Sequence, residues 1–274
     1  MSNSKFEVLC VTTKQHDFSK IEEMNLHSNV VFANQSDFTA YEECIIDDKH
    51  IAKMISTKTR GVGINRNIAM MYASGDICIF ADDDIIYVDN LEQIVLSEFE
   101  KHPDADVFIF NIDTDSEERK QKYYSKTRKW HHYEPMPWGA VRVAFRLSSV
   151  QKSNVWFSTL YGGGTIFPSG EDSIWLNDIK SKNTIYVSQY CIGTIKMDES
   201  SWFTGYDEKF YYAKGAFYAN SHRNSFLIFA LYCAFRTKNR CKVSFGQSLK
   251  WIFNGKQGYS LMLSYDEYKE KYYG

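Results

Sequence analysis

The sequence lacks any apolar stretch approaching the roughly 20 residues that a bilayer crossing needs. Its apolar run at residues 226–235 (FLIFALYCAF) falls well short. Residues 1–5 hold no hydrophobic segment of signal-peptide length, so export by the usual route is not expected and a cytoplasmic location is. The six cysteines include no C-x-x-C pair and several sit in apolar segments, which fits buried, reduced thiols. There is no excess of positive charge: 32 Lys and Arg against 34 Asp and Glu leave a net charge of −2, too little to hold a nucleic-acid backbone. G-x-S-x-G, H-E-x-x-H and Walker A patterns are absent, which weighs against serine-hydrolase, zinc-protease and P-loop chemistry. Internal repeats, low-complexity tracts and obvious linkers are missing too.

What remains is an ordinary globular composition, 44% hydrophobic and 24% charged, over 274 residues. At about 150 residues per domain that is one large domain or two small ones. The aromatic share of 16% suits sugar-stacking surfaces, but equally a bulky core or a partner surface. Residues 6–12 (FEVLCVT) and 30–33 (VVFA) read as strands separated by a helix that carries Ile21, Met24 and Leu26. From Gly61 a helix is expected with Ile64, Ile68 and Met71 on one face and Arg66 nearly opposite, stopping near Gly75. A fully apolar strand at residues 76–81 then runs into Asp82, Asp83 and Asp84; a helix at 91–100 and a strand at 106–112 follow. This alternation predicts an α/β fold with an open, mostly parallel central sheet flanked by helices, whose ligands gather at the carboxyl ends of strands. Residues 113–138 read as a long charged surface loop, 141–145 as a strand, and 169–179 as a helix.

Three places could carry chemistry. On an extended backbone Asp82 and Asp84 would face together and Asp83 away, and two carboxylates at a strand end can hold Mg²⁺ or Mn²⁺ against a nucleotide diphosphate. An acidic turn in solvent is the plainer alternative. Arg66, on the polar face of its helix beside Asn65, could meet phosphate oxygens, although an isolated Arg is more often simply solvated. Glu171 and Asp172 open a helix after Gly162, Gly163 and Gly164; a capping role explains them alone, but a glycine-rich approach makes Asp172 a candidate general base. His131 and His132, adjacent in a charged loop, read as surface residues.

Taken in order, GVGINRNIAMMYASGDICIFADDD, GEDSIWL and the segment from Met197 to Phe203 resemble the family 2 glycosyltransferases of GT-A fold, particularly bacterial enzymes that build surface polysaccharides. The resemblance implies an inverting, metal-dependent transfer from a nucleotide-sugar donor, with a UDP-sugar expected, to a glycan or lipid-linked acceptor. It implies that Asp82 and Asp84, with Asp198 nearby, hold Mn²⁺ or Mg²⁺. Thr12, Thr13, Asn34, Asn65, Arg66, Asp82 and Asp83 would border the nucleotide. Gly163, Gly164, Glu171 and Trp202 would meet the acceptor, and Asp172 would take its proton. One departure stands at residues 33–37 (ANQSD), which lack the family's more frequent Asp-x-Ser-x-Asp arrangement, so base recognition is the weakest transfer. The implied organisation is a catalytic domain over residues 1–205, with a donor half to about 112 and an acceptor half after it, then a helical appendage over 206–274.

Within that appendage the apolar run is followed by Arg236, Lys238, Arg240 and Lys242, a combination that can rest on an anionic inner leaflet. A helix packed into the catalytic domain and a homodimer contact explain the same run. Two other functions fit the acidic triplet: a haloacid-dehalogenase-like phosphatase with Asp82 as nucleophile, and a carbohydrate-binding protein without catalysis.

Overall fold

The structure is a computed structural model that describes residues 4–115, 123–131, 134, 139–196, 205–240 and 243–274. It divides into two compact units, one made of Met1–Ser158 and Trp175–Glu199, the other of Thr159–Ile174 and Ser200–Gly274.

The first unit is built on a twisted sheet. Its strands are β1 (Phe6–Thr13), β2 (Asn29–Gln35), β3 (Ala40–Ile45), β4 (Ile51–Thr57), β5 (Ile77–Asp82), β6 (Ile85–Tyr87), β7 (Val107–Thr114), β8 (Arg128–Lys129), β9 (Val143–Arg146) and β10 (Ile185–Ile195). They lie in the order β3-β4-β2-β1-β5-β9-β7-β10-β6, with β8 beside β10. β4, β2, β1 and β5 are mutually parallel, as are β7 and β10, while β3, β6, β8 and β9 run against their neighbours. The parallel strands are continuous apolar runs because both sheet faces are covered. One face carries a core around Phe6, Phe32, Ile79 and Phe108, against which Ile21 of α1 (Lys20–Glu23) packs and which takes Leu91, Val95 and Phe99 from α3 (Leu91–Lys101). The other takes Ile68, Ala69 and Met70 from α2 (Val62–Tyr72), Leu147 and Val150 from α4 (Leu147–Ser153), and Trp175, Leu176 and Ile179 from α5 (Glu171–Ile179).

At the amino end of β1, Glu7 is 1% exposed yet well satisfied. It accepts from the backbone N–H groups of Ser74 and Gly75 at 2.6 and 2.9 Å and faces Lys53 at 3.6 Å. The helix therefore ends at Tyr72, with Ala73 extended, and Gly75 serves this carboxylate rather than stopping α2. The loop expected over residues 113–138 is partly sheet and core. β7 continues to Thr114, β8 pairs with β10, and Trp130 is 5% exposed in the α2 side of the core. Charged neighbours on a short edge strand hid that tryptophan in the sequence.

The second unit is helical: α6 (Glu208–Ser221), α7 (Phe226–Thr237), α8 (Phe245–Leu261) and α9 (Tyr265–Tyr273). It includes the loop from Thr159, so it is not confined to the expected appendage after residue 205. Its cores gather Tyr161, Phe167, Tyr212, Phe217 and Tyr268, and separately Tyr211, Phe226, Ala230 and Ile252. α6 and α8 touch backbone to backbone: a Cβ on Gly215 would collide with the Ile252 carbonyl, and one on Gly255 with that of Tyr212. Replacing Gly215 by Ala is expected to cost about 2–3 kcal/mol through overpacking, read from the urea midpoint of unfolding.

Candidate active site

From β1 the chain moves to β2 and then β4 on one side, and returns to β5 on the other side of β1. The carboxyl ends of β1 and β5 therefore flank the topological switch point, where open α/β sheets bind ligands. The register sets Val11 opposite Asp82, so Thr12 follows beside the acidic triplet. The buried Thr12 hydroxyl donates to the Asp83 carboxylate. Thr13 is exposed.

β5 ends at Asp82, and Asp83 and Asp84 form the turn into β6. The alternation expected of an extended backbone stops one residue short, and Asp83, expected to face away, is held by Thr12. Asp84 is solvent-accessible. Crowding by protein on one side, with the negative charges of Asp82 and Asp83, pushes its carboxyl from 3.8 up to about 6. Burial first, and then the three carboxylates, raise the Cys10 thiol; burial, then Cys10 and the Asp82 and Asp84 charges, raise the Tyr87 hydroxyl.

Arg66 is not on a solvated helix face. Its side chain is 2% exposed, donates to Asp82 Oδ1 at 2.9 Å and lies 5.4 Å from the Phe157 ring centre. Met71, read as sharing a face with Ile64 and Ile68, is 62% exposed while Ile68 is buried. The apolar periodicity of α2 misled because the sheet-facing stripe includes Asn65 and Arg66, polar residues that the strand ends can satisfy. Asn65 donates to the Ala33 carbonyl at 3.1 Å, while its Oδ1 is buried without a hydrogen-bond partner. Asn67 clamps Phe157, donating to its carbonyl and accepting from its N–H, both at 2.9 Å.

Asn34 is fully buried and fixes the loop after β1. It accepts from the Gln15 N–H at 3.1 Å and donates to the Gln15 carbonyl and the Ser56 hydroxyl, each at 2.9 Å. The loops that follow β1 and β2 bring His16 and Phe38 together, stacked 5.9 Å apart at 26°. The sequence reading missed this pair. Its only signal is a ring on each of two polar loops that the strand order makes neighbours.

The residues expected at the acceptor side belong to the second unit. Gly162, Gly163 and Gly164 form a tight turn closed by Gly162 N–H to the Phe167 carbonyl at 2.9 Å, and a Cβ on Gly163 would meet nothing within 4 Å. Gly170, at φ +119°, sits under the Phe217 ring, where a Cβ would come within 2.9 Å of it. Glu171 and Asp172 are half-buried in the first turn of α5. Asp198, Trp202 and His132 lie outside the described residues; His131 is exposed. Among the described residues no three His, Cys, Asp or Glu side chains are grouped to hold a metal ion.

Residues 27–156 match the model of Glycosyl transferase family 2. The match covers a little under half of the chain. The matched stretch lies inside the first unit and contains Arg66 and the triplet, but not Asp172. The match indicates a glycosyltransferase, and the sheet with its flanking helices is of the GT-A type. The S. aureus TarS 1-349 crystal structure is 15% identical, with a TM-score of 0.53 over 95% of this chain and 93% of that one. The same protein in complex with UDP gives 14% identity and 0.56 over the same shares. In complex with UDP-GlcNAc it gives 16% and 0.50, over 98% of this chain and 76% of that one. At such identity the likeness is one of fold. No curated protein matches the sequence.

A carboxyl whose folded pKa is raised binds its proton more tightly in the folded state than in the unfolded one. The Asp84 site therefore gains stability as pH falls through about 6 toward 3.8. Metal-free Asp84→Asn is expected to melt higher than the wild type at pH 7.5, with the difference shrinking by pH 5, in paired thermal melts across that range.

Proposed function

We propose that the family 2 domain performs an inverting transfer of a sugar from a nucleoside diphosphate donor, a UDP-sugar, to a hydroxyl of a glycan or lipid-linked saccharide. The observation that carries this reading is the collection of three carboxylates at the switch point between β1 and β5, two of them held in place by Thr12 and Arg66. Solved structures of the same fold that contain UDP and UDP-GlcNAc add support for the donor class.

A hard divalent ion takes one or two protein carboxylates and completes its shell with waters and phosphate oxygens. Asp82 and Asp84 fit that demand, and a cation would relieve the repulsion that Asp82 and Asp83 add to the effect of burial on Asp84. Bound there, Mn²⁺ or Mg²⁺ supplies positive charge to the departing diphosphate. Arg66 holds Asp82 in place through the 2.9 Å ion pair. Thr12 orients Asp83 in the same way. Asn34 acts on the nucleotide indirectly, by fixing the loop that carries His16, and the stacked His16 and Phe38 rings offer the base a flat surface.

Asp172 takes the proton of the attacking hydroxyl. It stands in the first turn of α5, at the positive end of the helix dipole. Attack opposite the leaving diphosphate inverts the anomeric centre.

Asp172→Asn is expected to lower transfer by about 10²–10⁴-fold while leaving UDP affinity unchanged. Asp82→Asn and Asp84→Asn should each remove the part of UDP affinity that depends on Mn²⁺, titrated calorimetrically with and without the metal. Normal turnover by Asp172→Asn would take that residue out of the mechanism. Mn²⁺-dependent UDP affinity that survives in both triplet variants would take the triplet out.

A further inference from the structure

Between Glu208 and Asp266 the sequence holds nine Lys and Arg and no Asp or Glu. The net charge of −2 thus conceals a cationic segment set against an acidic remainder. The same segment contains α7, which buries Phe226, Ala230, Cys233, Ala234 and Thr237 within the second unit. Its opposite side is bare. Ile228 and Phe235 are 69% and 71% exposed, and Leu227, Leu231 and Tyr232 are exposed beside them. Residues four apart share a helix face, so 227, 231 and 235 form one apolar row and 228 and 232 a second alongside it.

Cations rim this stripe. At its carboxyl end Arg236 donates to the Tyr232 hydroxyl at 3.0 Å, and exposed Lys238 and Arg240 follow. At its amino end the Lys256 ammonium sits 4.6 Å from the centre of the Phe226 ring, which Phe253 of α8 also meets edge-on at 5.3 Å. α7 itself contains no acidic residue.

Charge decides what covers such a face. A second copy of the chain would set one cationic surface against another, whereas an anionic leaflet satisfies both features at once: apolar side chains sink below the headgroups while Lys and Arg reach the phosphates. With 12 residues α7 is about 18 Å long, too short to cross a hydrocarbon layer of about 30 Å but suited to lying in its plane. Among the described residues no helix is long and apolar enough to span.

We propose that α7 docks the protein on an anionic lipid surface, with Leu227, Ile228, Leu231, Tyr232 and Phe235 inserted and Arg236, Lys238 and Arg240 at the headgroups. This goes beyond the transferase reading and does not depend on it.

The full chain is sedimented with vesicles of phosphatidylcholine alone and with about a third phosphatidylglycerol. Binding to the anionic vesicles is expected to be at least about tenfold tighter and to weaken as salt rises. Ile228→Glu with Phe235→Glu should abolish it. Arg236→Ala, Lys238→Ala and Arg240→Ala together should weaken it about a hundredfold. All of these positions are exposed, and circular dichroism checks that both variants keep the helices. Equal binding to both vesicle types, no binding to either, or full binding by the glutamate variant would overturn the proposal. So would a wild-type dimer, seen by light scattering, that the glutamate variant converts to monomer.

Discussion

A buried guanidinium held against the end of a parallel strand organises the acidic turn at the carboxyl end of β5. Three consecutive aspartates repel one another, and their charge reaches the neighbouring buried Cys10 and Tyr87. Arg66 offsets part of that charge from inside the core, where an unpaired cation would be costly. Its position depends on packing some distance away: Asn67 clamps the Phe157 backbone, and the Phe157 ring stacks on Trp175 at 5.1 Å and 6°. Trp175 in turn meets Phe80 edge-on at 5.3 Å, two residues before Asp82. Helices α2 and α5 and strand β5 are thereby locked into one aromatic stack that ends at the acidic turn.

Much of this was legible in the sequence, and the parts that were not have physical reasons. Apolar runs bounded by turns gave the central strands and the helices between them, because each buries a continuous surface. The triplet was readable for the same reason, as charge placed where an apolar strand stops. Arg66 was found, but on the wrong face: periodicity counts only apolar residues, and α2 turns Asn65 and Arg66 inward to groups on distant strands. Trp130 was lost in charged surroundings, and the His16 and Phe38 pair exists only once the strand order is known. Strand direction was equally hidden, since nothing in VAFR at residues 143–146 says that β9 enters against β5 and β7.

Residues 33–37 show how a departure from a family pattern can be absorbed. Where the commoner arrangement supplies an acid, Asn34 spends both ends of its amide on the neighbouring loop and strand. Asp37 is instead paired with Arg60 at 2.6 Å, and Gln35 accepts from the Gly61 N–H at 2.8 Å, just before α2. The nearby polar groups are thus committed to holding loops.

The second unit is threaded through the chain in two pieces, and this bears on how the protein is made. The glycine turn and Gly170 are synthesised long before α6 and α9, yet Tyr161 and Phe167 find their core in Tyr212, Ala216, Phe217 and Tyr268. A nascent chain that has reached only Glu199 already holds every strand of the sheet, while the segment from Thr159 to Ile174 still waits for its packing partners. Maturation of that loop is therefore tied to the synthesis of α6 and α9, and a truncation ahead of α6 would strip it of its support while sparing the sheet.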